Sequence, residues 1–254
     1  MKMPSFRSVG AWGAALTVVI LAMSVLLRLG TRLEAGEAVS MLPAAMEQAA
    51  RIAHRLAAMG VGLLAVGALV QLATQRPVAP GRRNAVAVIV ALTLLLASIG
   101  RHTPGYRIDA VTVANVTGGI ALAAAFAALR AVSGLTVSVD RVAAAALALL
   151  LVLAGLGAAA DAAALRGEQA FGPAHLWVAT LFIVSALVAA WHQRERVRVA
   201  TAVAALAGVQ FVLGFFLVDQ RPLALAWTHA MVACALALLL VSLALRPTPA
   251  PAPR

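Results

Sequence analysis

The sequence holds a single cysteine, Cys234, and only nine acidic residues among 254. One thiol cannot close a disulfide within the chain, and as a small residue inside an apolar run Cys234 reads as packing. Charge is scarce as well. Charged residues make up 11% of the chain and hydrophobic residues 63%, with a mean hydropathy of +0.97, far from the roughly half-apolar usage of soluble domains. A soluble globular protein is therefore excluded, and the chain reads as an integral membrane protein. Lys and Arg outnumber Asp and Glu by 20 to 9, yet they sit in short segments between apolar runs and never gather into a basic stripe. Nucleic acid is excluded as a partner on that ground, and the positive charge reads as topology.

What the sequence has in abundance is apolar runs of helical length. They fall at about 10–29, 53–74, 85–100, 110–130, 142–163, 174–192, 199–218 and 223–245, each near the twenty or so residues a transmembrane helix needs. The connections are short and carry breakers: RPVAPGRRN at 76–84, HTPGYR at 102–107, RGEQAFGP at 166–173 and QRP at 220–222. The tail PTPAPAPR is a Pro-rich end. The expected fold is an all-α integral membrane protein with eight transmembrane helices, multi-pass and in contact with membrane lipid.

Orientation follows from charge. With both termini cytoplasmic, the inner side carries twelve basic and two acidic side chains, Asp140 and Glu195, against eight basic and seven acidic outside. The first run follows a basic start but lacks a small-residue cleavage site, so it is expected to stay as a span.

Three histidines then fall at one depth. His54 opens the second run, His175 opens the sixth and His229 lies near the start of the eighth, and all three runs pass from outside to inside. Asn115 holds the same level in the fourth. The near-equal intervals read as a helical hairpin repeated four times. Paired, the repeats give two related four-helix bundles, 1–132 and 133–254, each offering two polar side chains from its second and fourth helices. Histidine in hydrocarbon is costly unless satisfied. Two histidines on facing helices suit axial ligation of a heme iron; the alternative for each is a hydrogen bond to a neighbouring backbone or hydroxyl group. Trp177, Phe182, Phe211, Phe215, Phe216, Leu225 and Met231 are expected to form the apolar walls around such a heme.

The stretches RIAHRLAA (51–58), VANVTGGIALA (113–123), PAHLWVATL (173–181) and VQFVLGFFLVDQRPLALAWTHAMVACALALLL (209–240) resemble the corresponding helices of the bacterial and mitochondrial heme A synthase family. The resemblance covers nearly the whole chain and is most specific in the last two helices and in the His54–Arg55 pair. It implies eight helices in two pseudo-symmetric bundles, an inner-membrane oxidoreductase that converts heme O to heme A for cytochrome oxidase, a resident heme b held by His175 and His229, and a substrate heme received in the bundle of His54. It also implies heme O synthase or cytochrome oxidase assembly proteins as partners, and leaves a homo-oligomer open. At three places the chain differs from the family. The second histidine of the substrate bundle is replaced by Asn115, the catalytic carboxylate three residues before the first histidine by Arg51, and the outer loops lack the cysteine pair of many members.

Glu47, seven residues before His54, lies two helical turns away and shares its face if the helix extends that far. It is the candidate replacement carboxylate; the alternative is a solvated residue of an amphipathic loop helix with Glu34 and Glu37. Arg51, Arg55, Arg101 and Arg107 suit heme propionates at the membrane edge or, equally, lipid headgroups. His102 in its loop and His192 beside Trp191 are not expected to be ligands. Three functions follow: a heme A synthase, a non-catalytic heme b-binding protein in electron transfer or oxidase assembly, and a transporter whose histidines line a path. The last would call for broken helices near the midplane. The charge pattern predicts that a reporter fused within 102–107 lies on the outer face; a cytoplasmic reporter there would overturn the orientation.

Overall fold

Proline and capping side chains set where the apolar runs become helices. The computed structural model describes residues 5–34, 37–75, 78–100, 109–132, 137–165, 172–217 and 222–247. Its helices are α1 (Phe6–Leu29), α2 (Ala44–Thr74), α3 (Pro80–Gly100), α4 (Asp109–Ala131), α5 (Arg141–Leu165), α6 (Gly172–His192), α7 (Val197–Phe216) and α8 (Leu223–Ala244). Among the described residues these eight are long and apolar enough to cross a membrane. Pro43 and Pro222, both extended, immediately precede α2 and α8, and Pro80 begins α3. A fixed φ and a missing N–H cost nothing at a helix start. The Ser5 hydroxyl caps α1 by accepting from the Ser8 N–H at 3.2 Å.

Two segments differ from the sequence reading. Helix α2 starts at Ala44 rather than 53, because the run AAMEQAAR is rich in strong helix formers and Arg51 donates to Glu47 one turn back. At 31 residues it spans about 46 Å, more than the roughly 30 Å of hydrocarbon, so its first turns project beyond the apolar layer. The stretch before it is a hairpin and not a loop helix. Strand β1 (Thr31–Glu34) pairs antiparallel with β2 (Glu37–Ser40), Glu34 opposite Glu37. A second small ribbon pairs β3 (Val137–Val139) with β4 (Leu245–Pro247), tying the entry to α5 to the exit from α8.

Packing follows the chain. Helix α1 lies on α2 and α4, and α3 lies on α2 and α4; α5 packs on α6 and α8, and α7 on α6 and α8. Contacts of α4 with α5 and α8, and of α1 with α8, join these groups. One buried cluster unites Phe6, Val61, Ile89 and Phe126 from α1 to α4. The other centres on Leu150, Phe182, Val203 and Leu236 of α5 to α8, and Leu21 of α1 and Ile120 of α4 reach into it. Small residues allow the closest approach: a Cβ on Gly10 would lie 2.6 Å from the Arg130 backbone nitrogen, and one on Gly13 would lie 2.2 Å from the Phe126 ring. Without a hydrophobic force between helices in lipid, such backbone proximity is what packs them. The outward faces of α2, α6 and α7 remain strongly apolar, with Leu63, Val66, Leu181, Val184 and Val212 exposed, as suits contact with lipid.

Asp140 ties the end of the molecule that carries β3 and β4. Its Oδ1 caps α5 by accepting from the N–H groups of Val142 (3.1 Å) and Ala143 (3.0 Å). Its Oδ2 accepts from Gln193 Nε2 at 2.5 Å and from Arg246 Nη2 at 3.3 Å, and lies 3.3 Å from His192 Nδ1. One carboxylate thus gathers α5, the α6–α7 turn and β4. Burial pushes its pKa up, but the Ala143 N–H and the His192 and Gln193 side chains outweigh burial and hold it below the ordinary 3.8. A carboxyl held low binds its proton less readily folded than unfolded. Its contribution is therefore present above pH 3.8 and lost as pH falls through the lower folded value. Asp140→Ala removes the cap and the shared acceptor and should cost about 2–4 kcal/mol, read as a lower thermal midpoint of the detergent-solubilised protein. An unchanged midpoint would contradict the role given to Asp140.

Candidate functional site

The sixth and eighth helices each bring a histidine against a glycine of the helix before it. His175, in the first turn of α6, packs on α5 where Gly157 has no side chain; a Cβ there would lie 3.3 Å from the imidazole Cε1. His229, in the second turn of α8, packs the same way on α7, with Cε1 3.5 Å from the Cβ that Gly214 lacks. Both rings are half-buried.

A residue the sequence reading passed over completes the pair. Gln210, buried on α7, places Nε2 3.0 Å from His229 Nε2. It stands four residues before Gly214, so the two form one face of α7 toward the imidazole. Gln210 Oε1 and His229 Nδ1 are both buried and have no hydrogen-bond partner. Whichever way the amide is turned, one ring nitrogen is held and the other is bare. The available signal was a glutamine in an otherwise apolar run, one turn from a glycine.

Asp161 also belongs here. It lies one turn after Gly157 on the same face of α5 and receives Arg28 Nη1 of α1 at 2.6 Å. The sequence reading had counted both only as outer charges. With the Arg28 side chain 10% exposed and that of Asp161 29% exposed, this is an ion pair drawn into the helix packing. Close by, Trp227 Nε1 donates to the Ala22 carbonyl of α1 at 2.9 Å and fixes α8 two residues before His229.

His54 meets a different surface. Its Nδ1 lies 3.3 Å from the Ile20 carbonyl oxygen of α1; since the carbonyl can only accept, Nδ1 carries the proton and Nε2 keeps its lone pair. Asn115 is half-buried on α4. Arg55 is exposed on α2, and Arg107, with Arg101 and His102, lies outside the described residues. Helix α2 does extend outward past Glu47, as the shared face with His54 required. There Glu47 Oε1 accepts from both Arg51 Nε (2.9 Å) and Arg51 Nη2 (2.5 Å). His192 turns to Asp140, away from this site.

The aromatic walls expected around the histidines are corrected in part. Trp177, Phe211, Phe215 and Phe216 are 72%, 54%, 72% and 61% exposed. Trp177 stands about 200° around α6 from His175, and Phe211 and Phe215 each stand about 100° around α7 from Gln210 and Gly214, so they face outward. Phe182 is fully buried, and Leu225 and Met231 are half-buried.

Chemically, each imidazole is a nitrogen donor set among apolar side chains, and that of His229 is held by the Gln210 amide. Among the described residues no three His, Cys, Asp or Glu side chains converge, so protein groups alone do not make a cage for a bare ion there. A macrocycle that supplies the equatorial ligands needs only two axial nitrogens. Gln210 fixes the orientation of the His229 ring. Compared with protein-family models and with curated proteins, the chain matches none.

The glycine contacts make a prediction independent of any ligand. Gly157→Leu drives a branched side chain into His175 and should destabilise the protein by about 1–3 kcal/mol, whereas Gly62→Leu, which faces open space, should leave the thermal midpoint unchanged. Equal midpoints for the two variants would contradict the His175–Gly157 packing.

Proposed function

We propose that the chain is a heme A synthase-like oxidoreductase of the bacterial inner membrane that converts heme O to heme A for cytochrome oxidase. The observation that carries this reading is the His175 and His229 pair, with Gln210 on one ring nitrogen of His229 and the other nitrogen buried and bare. A bare buried polar atom costs about 1–3 kcal/mol, and axial ligation removes such a cost. In this reading His175 and His229 hold a resident heme b, which supplies one-electron chemistry when bound. His54, with the proton on Nδ1 and Nε2 available, receives the substrate heme in a second, pseudo-symmetric bundle, with Asn115 across from it. Arg55 and Arg107 pair with propionates, and Glu47 is the candidate catalytic carboxylate. Both termini are cytoplasmic, and heme O synthase or oxidase assembly proteins are the expected partners, with a homo-oligomer open.

The runner-up is a heme b-binding membrane protein that transfers electrons or assists oxidase assembly without oxidising heme O. The twofold grip of Arg51 on Glu47 favours it, because a carboxylate so engaged is a weak proton acceptor. Expression with a heme O synthase separates the two. The synthase reading expects heme A in extracted membranes, and a higher yield after Arg51→Glu with Asn115→His. Heme O left unconverted in both would sink the synthase reading and leave the runner-up.

A further inference from the structure

The end of the molecule that carries Asp140 has a second feature that plays no part in the proposed chemistry. A half-open cleft of about 410 Å³ lies between α1, α4 and α8, lined by Arg7, Ala14, Arg130, Ala131, Leu238 and Ser242. Its geometry comes from Gly10. That glycine seats α1 directly on the Arg130 backbone, and Arg7, three residues earlier on the same face, is thereby brought beside Arg130. Both arginines are exposed, and among the described residues neither has a carboxylate or carbonyl partner. Arg82, by contrast, donates to the Val132 carbonyl at 3.1 Å and stacks its guanidinium over the Phe6 ring. Among the described residues no acidic side chain lines the cleft. Below the arginines its wall is apolar: Ala14 lies seven residues along α1 from Arg7, about 10 Å deeper, and faces Leu238 of α8 across the cleft. The Ser242 hydroxyl donates to the Leu238 carbonyl, which leaves the wall without a free donor at that point.

We infer that this cleft is a binding site for one anionic phospholipid, with the headgroup phosphate between Arg7 and Arg130 and the upper acyl chain against Ala14 and Leu238. Two guanidiniums with no protein acid form a fork for a phosphodiester. The apolar floor gives a lipid an advantage that inorganic phosphate cannot share, and basic pockets between helices take acidic headgroups in this way. The lipid would fill the junction where α1, α4 and α8 meet.

The test is native mass spectrometry of the full-length protein released from detergent, with phosphatidylglycerol or phosphatidylcholine added. The wild-type chain should retain one phosphatidylglycerol in preference to phosphatidylcholine, and an excess of inorganic phosphate should not displace it. Arg7→Gln with Arg130→Gln should lower that retention by about tenfold. Arg198→Gln, an exposed arginine at the same end outside the cleft, should leave it intact. Ala14→Leu keeps both arginines and fills the floor, and should also expel the lipid. The inference is overturned if the double variant or Ala14→Leu retains phosphatidylglycerol as the wild type does, if phosphatidylcholine binds equally, or if inorganic phosphate displaces the lipid.

Discussion

A hydroxyl among apolar helices can bond the carbonyl one turn back on its own helix, but a ring or a charged side chain must find its partner on another helix, because lipid offers none. That constraint ties this molecule together. Helix α1 meets it three times: its Arg28 takes Asp161 of α5, its Ile20 carbonyl takes His54 of α2, and its Ala22 carbonyl takes Trp227 of α8. Breaking one side of a buried ion pair costs about 3–5 kcal/mol because the other charge is stranded. The arrangement of α1 against α2, α5 and α8 is therefore fixed by chemistry as well as by the close packing at Gly10 and Gly13.

The same constraint shapes the candidate site. His229 satisfies one nitrogen with Gln210 and leaves the other buried and bare. A helix surface that spends a glycine opposite each of two imidazoles holds both rings at the positions of Gly157 and Gly214. At the opposite end, Asp140 gathers three segments through one carboxylate, while Arg7 and Arg130 are left facing a cleft.

Much of the fold was legible because hydropathy over twenty residues is a strong signal. Each expected run became a helix, and Pro43, Pro80 and Pro222 stand at starts as their chemistry requires. The early start of α2 was not visible from hydropathy, since AAMEQAAR owes its helix to propensity and to the Glu47–Arg51 pair. The β1–β2 hairpin was likewise hidden, because its strands are four residues each with no apolar alternation to betray them. Within the candidate site, His175 and His229 could be singled out as polar side chains near helix starts. Gln210 and the Arg28–Asp161 pair could not, because depth says nothing of which helix faces which. The outward Trp177, Phe211 and Phe215 were misplaced for the same reason: composition supplies apolar side chains, and only the angle around the helix says where they point.

The central claim is that His175 and His229 together hold a heme. The most direct measurement is the reduced-minus-oxidised optical spectrum of the purified full-length protein and of its His175→Ala, His229→Ala and Asn115→Ala variants, each first shown to accumulate in the membrane. Two axial imidazoles predict a low-spin b-type signal that vanishes in either histidine variant and survives in Asn115→Ala. A signal unchanged in both histidine variants, or a purified protein that carries no heme, would contradict the account.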